Sequence, residues 1–308
     1  MSSVPYVLVP VTPADADVTA PVTEDPSTVW AAGAYVVGDL RHRVETHRVY
    51  RRLTAGTDGA GDYPEDNPTD WQDYRPTQRW APFSYLESTP HESTSDITYT
   101  IEAGFFNALS LYGLQGTSVS VTIKDGPGGS LLQPVETFSI DDRPFGWYEW
   151  FFGGWITASK LVMYDLPIHP TAELTIIVTA SGGDTRAIGK ICYGDLAPLL
   201  SDPDVGATLD GARAKLVDFS YVDRQSDGTL KVERGRSARD LQIDVVVPSD
   251  DTAAAFSTIE SVLSTPACWF GSLDIEALNV FGLGIADMEF GGGGSHAILS
   301  INVQGIAS

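Results

Sequence analysis

Ser118-Val-Ser-Val-Thr-Ile-Lys124 alternates polar and apolar residues without a break. A period of two places Val119, Val121 and Ile123 on one face of an extended strand and the polar residues on the other. The following Asp125-Gly-Pro-Gly-Gly129 stops the strand with a Gly/Pro turn. Leu174-Thr-Ile-Ile-Val-Thr179 is a more continuously apolar strand, closed by Ser181-Gly-Gly-Asp184. Many short strands with Gly/Pro turns and no helical period predict a jelly-roll-like β-sandwich over residues 85–200. Inside it, Trp147, Tyr148, Trp150, Phe151, Phe152 and Trp155 crowd into nine residues. They read as core and packing surface, or as a platform for a sugar ring.

Toward the C-terminus, Leu241-Gln-Ile-Asp-Val-Val-Val247 reads as a strand broken by Pro248. Ser249 then stands where an N-cap is expected, with Asp250 and Asp251 favourable in the first turn. Ala253, Phe256, Ile259, Val262 and Leu263 give an amphipathic face, so a helix is expected over about 250–264, ended by Pro266. Strands are expected around 267–271, 277–281 and 297–303. Residues 201–308 thus read as a C-terminal β-sandwich domain with one packed α-helix.

Toward the N-terminus, residues 28–76 hold two of the seven Trp and four of the twelve Tyr between Gly, Asp and Pro turns. Fewer than fifty residues bury little core, so stacked aromatics must do much of the packing of a small antiparallel β module. Trp30, Tyr35 and Tyr50 are its expected core aromatics. Tyr63, Trp71 and Tyr74, beside the Gly/Pro loop, are the expected contacts for a bound carbohydrate. Residues 77–84 read as a linker. Residues 1–27 read as an arm with one short strand (4–11) and no core of its own, disordered or lying on a neighbouring subunit.

The chain of 308 residues is globular in composition and strongly acidic, with net charge −22. That balance argues against general binding to nucleic acid or anionic membranes. Seven of the fourteen Arg fall between Arg41 and Arg79. Arg224, Arg234, Arg236 and Arg239 gather near Lys231. Such basic strips are solvated faces or docking surfaces for acidic patches, and Arg41, Arg43, Arg51, Arg52, Arg234, Arg236 and Arg239 are the docking candidates. Cys192 and Cys268 sit in apolar β contexts and read as buried free thiols, although one disulfide is open. No basic-then-apolar leader and no apolar run of about 20 residues occurs, so neither a signal peptide nor a membrane span is expected.

Catalytic signals are absent. The five His lack metal-ligand spacing, and no nucleophile elbow or phosphate-binding loop occurs. Asp141 and Asp142 lie on a turn before Pro144 and read as solvated. No metal, cofactor or catalytic residue is expected, and a glycoside hydrolase is the least favoured reading. Exposed aromatics flanked by polar side chains, weak singly and stronger when repeated, suit glycan binding.

Trp30, Gly33, Tyr35, Gly38, Asp39, Tyr50 and Trp71, with Val-Tyr-Arg at 49–51 and Asp-Trp at 70–71, form a string that resembles the small chitinase-type carbohydrate-binding module. The resemblance implies a compact antiparallel fold whose aromatics mostly hold the core, with exposed aromatics near the late loop touching polysaccharide. Tyr63 stands near where that family often has Trp. Pro76-Thr-Gln-Arg-Trp-Ala-Pro-Phe83 resembles the linker that follows such a module in tail proteins of tailed bacteriophages. From about residue 28 onward the chain is similar to those proteins, and broadly to the sandwich-plus-helix fold of tail-tube and distal-tail proteins. That resemblance implies a virion structural protein made in the host cytoplasm. Its implied place is the distal end of a tail, as tail tip, baseplate or fibre adaptor. The implied partners are other tail proteins, copies of itself and a host cell-surface glycan. A carbohydrate-binding protein acting directly as a receptor-binding module is the alternative.

Overall fold

The computed structural model describes residues 4–84, 89–142, 156–157, 159–199, 212–224, 229–233, 235–273, 275–290 and 296–306. The described residues are mainly β, 52% strand and 10% helical, with a large curled antiparallel sheet of β-sandwich type. That sheet has nine strands in the order Lys160–Met163, Ala108–Tyr112, Lys190–Pro198, Tyr6–Pro10, Ala267–Phe270, Asn279–Phe290, His296–Gly305, Ser237–Pro248 and Arg213–Asp218. A five-stranded sheet covers its first part, in the order Glu136–Ser139, Ser118–Lys124, Glu173–Thr179, Ile97–Glu102 and Val18–Ala20.

Alternation explains the packing. Val119, Val121 and Ile123 join Leu174, Ile176, Val178 and Tyr99 on the inner face of the smaller sheet. They meet Leu109, Leu111, Ile191 and Tyr193 of the larger one. The reverse face of those same strands buries Ala108, Tyr112 and Cys192 against Leu8, Cys268, Phe270 and Phe281. Covered on both sides, Ala108–Tyr112 is buried at every position. Cys192 and Cys268 are both buried in this cluster and neither is in a disulfide.

The N-terminal segment, expected as an arm without a core, is part of the core. Tyr6–Pro10 pairs with Lys190–Pro198 on one side and Ala267–Phe270 on the other. Val7 faces one cluster and Leu8 another, as period two requires. The sheet therefore runs uninterrupted across the divisions expected near residues 27 and 200.

The helix spans Thr252–Ser261, preceded by a 3-10 turn at Ser249–Asp251. Asp251, not Ser249, is the N-cap residue, and it makes no side-chain cap bond. Ala255, Ile259 and Val262 turn inward against Ile243, Val245 and Trp269, while Phe256 and Leu263 of the expected apolar face are exposed. The buried spacing of four and three residues is a single narrow stripe, which leaves no room for Phe256 on the same side.

Candidate functional site

Four strands of the aromatic module form one sheet, in the order Thr28–Val29, Leu40–Arg43, Arg48–Arg52 and Trp71–Pro76; Gly33–Tyr35 and Gly56–Asp58 form a second. Trp30, Tyr35, Tyr50 and Trp71 make a single buried cluster. At its centre Asp58 accepts hydrogen bonds from Arg52 Nη1 at 2.8 and 3.1 Å, from Trp71 Nε1 at 2.8 Å and from Trp30 Nε1 at 3.4 Å. The Arg52 guanidinium lies 5.0 Å from the Trp71 ring centre. A small module short of aliphatic core is thus held by a paired and hydrogen-bonded buried charge.

This arrangement corrects two expectations. Trp71 is 1% exposed, its indole committed to Asp58, and cannot stack on an external sugar. Arg52 is 3% exposed and is an internal strut, not a docking residue.

Tyr63 and Tyr74 do reach the surface. Tyr63, 37% exposed, opens the 3-10 turn Pro64–Asp66; its carbonyl accepts from Asp66 N at 3.1 Å and Asn67 Nδ2 at 2.9 Å. Its ring packs edge-on to Trp30 at 5.2 Å, with the Arg43 guanidinium 4.0 Å from its centre. Arg43 also pairs with Glu65 at 3.1 Å and Glu45 at 3.4 Å, so the ring is held from beneath and not left to rotate freely. Tyr74, 49% exposed, is the extra residue where the register between Arg48–Arg52 and Trp71–Pro76 shifts. The bulge re-aims its side chain outward.

Most of the Arg41–Arg79 strip is spent inside the chain. Arg41 pairs with Asp39, Arg48 with Asp73, Arg75 with Asp25, and Arg79 with Asp15 and Glu24. Arg51 alone of the seven is exposed with no carboxylate partner among the described residues. Arg75 and Arg79 of the strip clamp the module and the residues after it onto the N-terminal segment, while Arg41, Arg43, Arg48 and Arg52 pair within the module.

That clamp went unread in the sequence. Glu24 and Asp25 are both buried. Glu24 accepts from Thr77 Oγ1 at 2.6 Å and faces His47 Nδ1 at 3.0 Å; Asp25 receives Arg75 at 2.7 and 3.1 Å and Gln78 N at 3.1 Å. Burial by itself would raise both carboxyls. For Glu24, hydrogen bonds from His47, Thr77 and Arg79 and the charge of His47 outweigh it; for Asp25, Arg75 and Ser27 do, and both sit below the usual range. Residues 77–84, expected as a linker, are buried or half-buried too. Trp80 and Phe83 enter the sandwich core, and Lys190 Nζ donates to the carbonyls of Ala81 at 3.0 Å and Ser84 at 2.6 Å. Adjacent carboxylates just before Pro26, in a chain segment otherwise poor in partners, were the available sign.

A second candidate lies at the far end of the large sheet. Tyr221–Arg224 and Leu230–Glu233 form a two-stranded hairpin in which all eight residues are exposed. Leu230 and Val222 are each 57% exposed and Val232 is 55% exposed; Tyr221 and neighbouring Phe219 and Leu216 are open as well. Arg224 belongs to this hairpin, Arg236 is exposed just after it, and Arg239 donates to the carbonyls of Glu276 at 3.2 Å and Ala277 at 3.5 Å. Arg234 and the 147–155 aromatic tract lie outside the described residues.

No family model matches this chain, and no curated protein or solved structure matches it. Among the described residues no group of three or more His, Cys, Asp or Glu could hold a metal ion, and no helix is long and apolar enough to cross a membrane.

Proposed function

We propose that this chain is a structural component of the distal end of a bacteriophage tail, assembling with copies of itself and with other tail proteins and presenting its aromatic module toward the host cell. The single observation that carries the reading is the exposed hairpin. A two-stranded ribbon has no core, is marginally stable alone, and here offers water an apolar surface that folding should have covered. Such a surface is accounted for when a neighbouring subunit covers it. The sequence resemblance to tail proteins supplies the setting, with synthesis in the host cytoplasm and function in the virion. The test is sedimentation of the full chain over a concentration series. The wild type should associate, and Val222→Asp combined with Val232→Asp should remain monomeric with unchanged circular dichroism. A wild-type chain that stays monomeric throughout overturns the reading.

A second reading, direct recognition of a cell-surface glycan, is favoured by the two outward tyrosines. Tyr63 is buttressed by Trp30 and Arg43, and Tyr74 is turned out by a bulge. Pre-oriented rings lose little entropy on stacking against a sugar face. On a glycan array the wild type should bind, and Tyr63→Ala should lower binding about tenfold. Tyr74→Ala should do less, having no such buttress. No binding of the wild type to any glycan leaves the module with a structural role alone.

A further inference from the structure

The two faces of the hairpin differ, and one of them matches a surface elsewhere on the chain. Residues directly opposite across an antiparallel pair share a face. Tyr221 faces Glu233 and Asp223 faces Lys231, with Lys231 and Glu233 ion-paired at 3.1 Å, so that face holds one cation, already paired, against two carboxylates. The other face carries Val222 opposite Val232 and Arg224 opposite Leu230. It is three aliphatic side chains around one cation, with no acidic residue, and Arg224 has no ion-pair partner among the described residues.

The outer face of the nearby sheet is the complement. Ala286 and Met288 pack inward, so Ile285, Asp287 and Glu289 point out. Register places Asp287 beside Ser300 and Asp244, and Glu289 beside Ile298 and Val246. Ser300 Oγ donates to Asp244 at 2.7 Å. None of Asp244, Asp287 and Glu289 has an ion-pair partner among the described residues. Asp287 and Asp244 stand on either side of Ser300, two strand spacings or about 10 Å apart, with the exposed Ile285 and Ile298 on the same face. The overall charge has the same asymmetry. Residues 213–239 hold seven basic and four acidic side chains, which leaves twelve and thirty-seven for the rest of the chain.

We infer that the Val222/Arg224/Leu230/Val232 face of one copy docks on the Asp244/Asp287/Glu289 face of a second copy. Arg224 enters the carboxylate cluster and the aliphatic side chains cover Ile285 and Ile298. This rests on the reading of the hairpin as an assembly element and names its partner surface. The two patches are different, so the contact is heterologous: each copy keeps a free hairpin or a free acceptor until a ring closes.

Complementary defects test it in the full-length chain. Arg224→Glu should weaken association at least about tenfold, and so should Asp287→Arg combined with Glu289→Arg. Mixed together, the two variants should assemble in a one-to-one ratio although neither associates alone, because the intact hairpin of the second meets the intact acceptor of the first and the two reversed faces also attract each other. Unchanged circular dichroism excludes misfolding as the cause. If the acceptor variant associates as the wild type does while the hairpin variant does not, the acceptor is wrong and the hairpin reading stands. If both variants associate normally, the hairpin reading falls with it. If both lose association and mixing restores nothing, direct pairing of these two faces is overturned.

Discussion

The aromatic module and the Tyr221–Glu233 hairpin are both short β elements with little aliphatic core, and both set arginine beside apolar side chains. They dispose of those residues in opposite ways. In the module Arg52 is enclosed with Asp58 beneath Trp71, and Arg75 and Arg79 reach back to Asp25 and Glu24. In the hairpin Val222, Val232 and Arg224 all face water. One element has satisfied itself within the chain; the other has left its satisfaction to something else. Composition does not separate a strut from a docking residue. The position of the nearest carboxylate does.

The comparison breaks most easily at Asp58. Asp58→Ala leaves the Arg52 guanidinium buried without its counter-charge and two indole N–H groups without an acceptor, which should cost about 3 to 5 kcal/mol. Urea unfolding followed by Trp fluorescence measures it, and a loss below about 1 kcal/mol would show that Asp58 is not the strut.

Acid should strain the region around the clamp before it touches the hairpin. His91, buried with its Nδ1 2.7 Å from the Tyr99 hydroxyl, is held down to about 4, chiefly by desolvation, with the charge of Asp25 opposing. An unfolded His takes its proton near pH 6.5. Between those values the unfolded chain binds more protons, so stability should fall as pH drops from about 6.5 to 4, by on the order of 3 kcal/mol, and this contribution flattens below. Glu24 and Asp25 act at the lower end. Their folded carboxyls sit below the unfolded values near 4, so their stabilisation is present above that pH and lost as pH falls through the depressed values. A melting temperature that is flat from pH 7 to 4 would contradict the assignment of His91 as a buried neutral side chain.

The hairpin should show the reverse balance. The Val222→Asp/Val232→Asp chain, which should lose association, should lower the unfolding free energy by no more than about 1 kcal/mol, the repulsion of two carboxylates opposite each other across the hairpin, since both side chains are exposed among the described residues. The smallest effect is expected at Arg51. It is exposed and unpaired among the described residues, so Arg51→Ala should leave both stability and association unchanged, although it sits in the same strand as Arg52.

What could be read in advance follows the same division. Local periodicity carried the strands: Ser118–Lys124 alternates as its buried pattern requires, and Ser237–Pro248 and His296–Gly305 were approached from Leu241–Val247 and 297–303. Trp30, Tyr35 and Tyr50 lie in the core, with Trp71, because the module has few aliphatic side chains to build one. What periodicity cannot encode is which distant segment supplies a partner. Glu24 meets Thr77 and His47, and Lys190 meets Ala81, across separations that no local pattern records. For that reason the Arg41–Arg79 strip read as a surface and Trp71 as a contact. The hairpin was missed for another reason: an apolar residue alternating with a charged one signals a half-buried strand, and here neither half is buried.

Tyr6–Pro10 has a consequence for biosynthesis. Its two neighbours in the sheet are Lys190–Pro198 and Ala267–Phe270. During translation this strand waits, apolar and unpaired, until Lys190–Pro198 has emerged, and its second edge stays open until Ala267–Phe270 follows. Folding should consequently be slow and dominated by contacts between remote parts of the chain, and partly made chains should expose a sticky edge to chaperones. A chain cut before residue 267 would lack the second neighbour of that strand, however well its first two hundred residues pack.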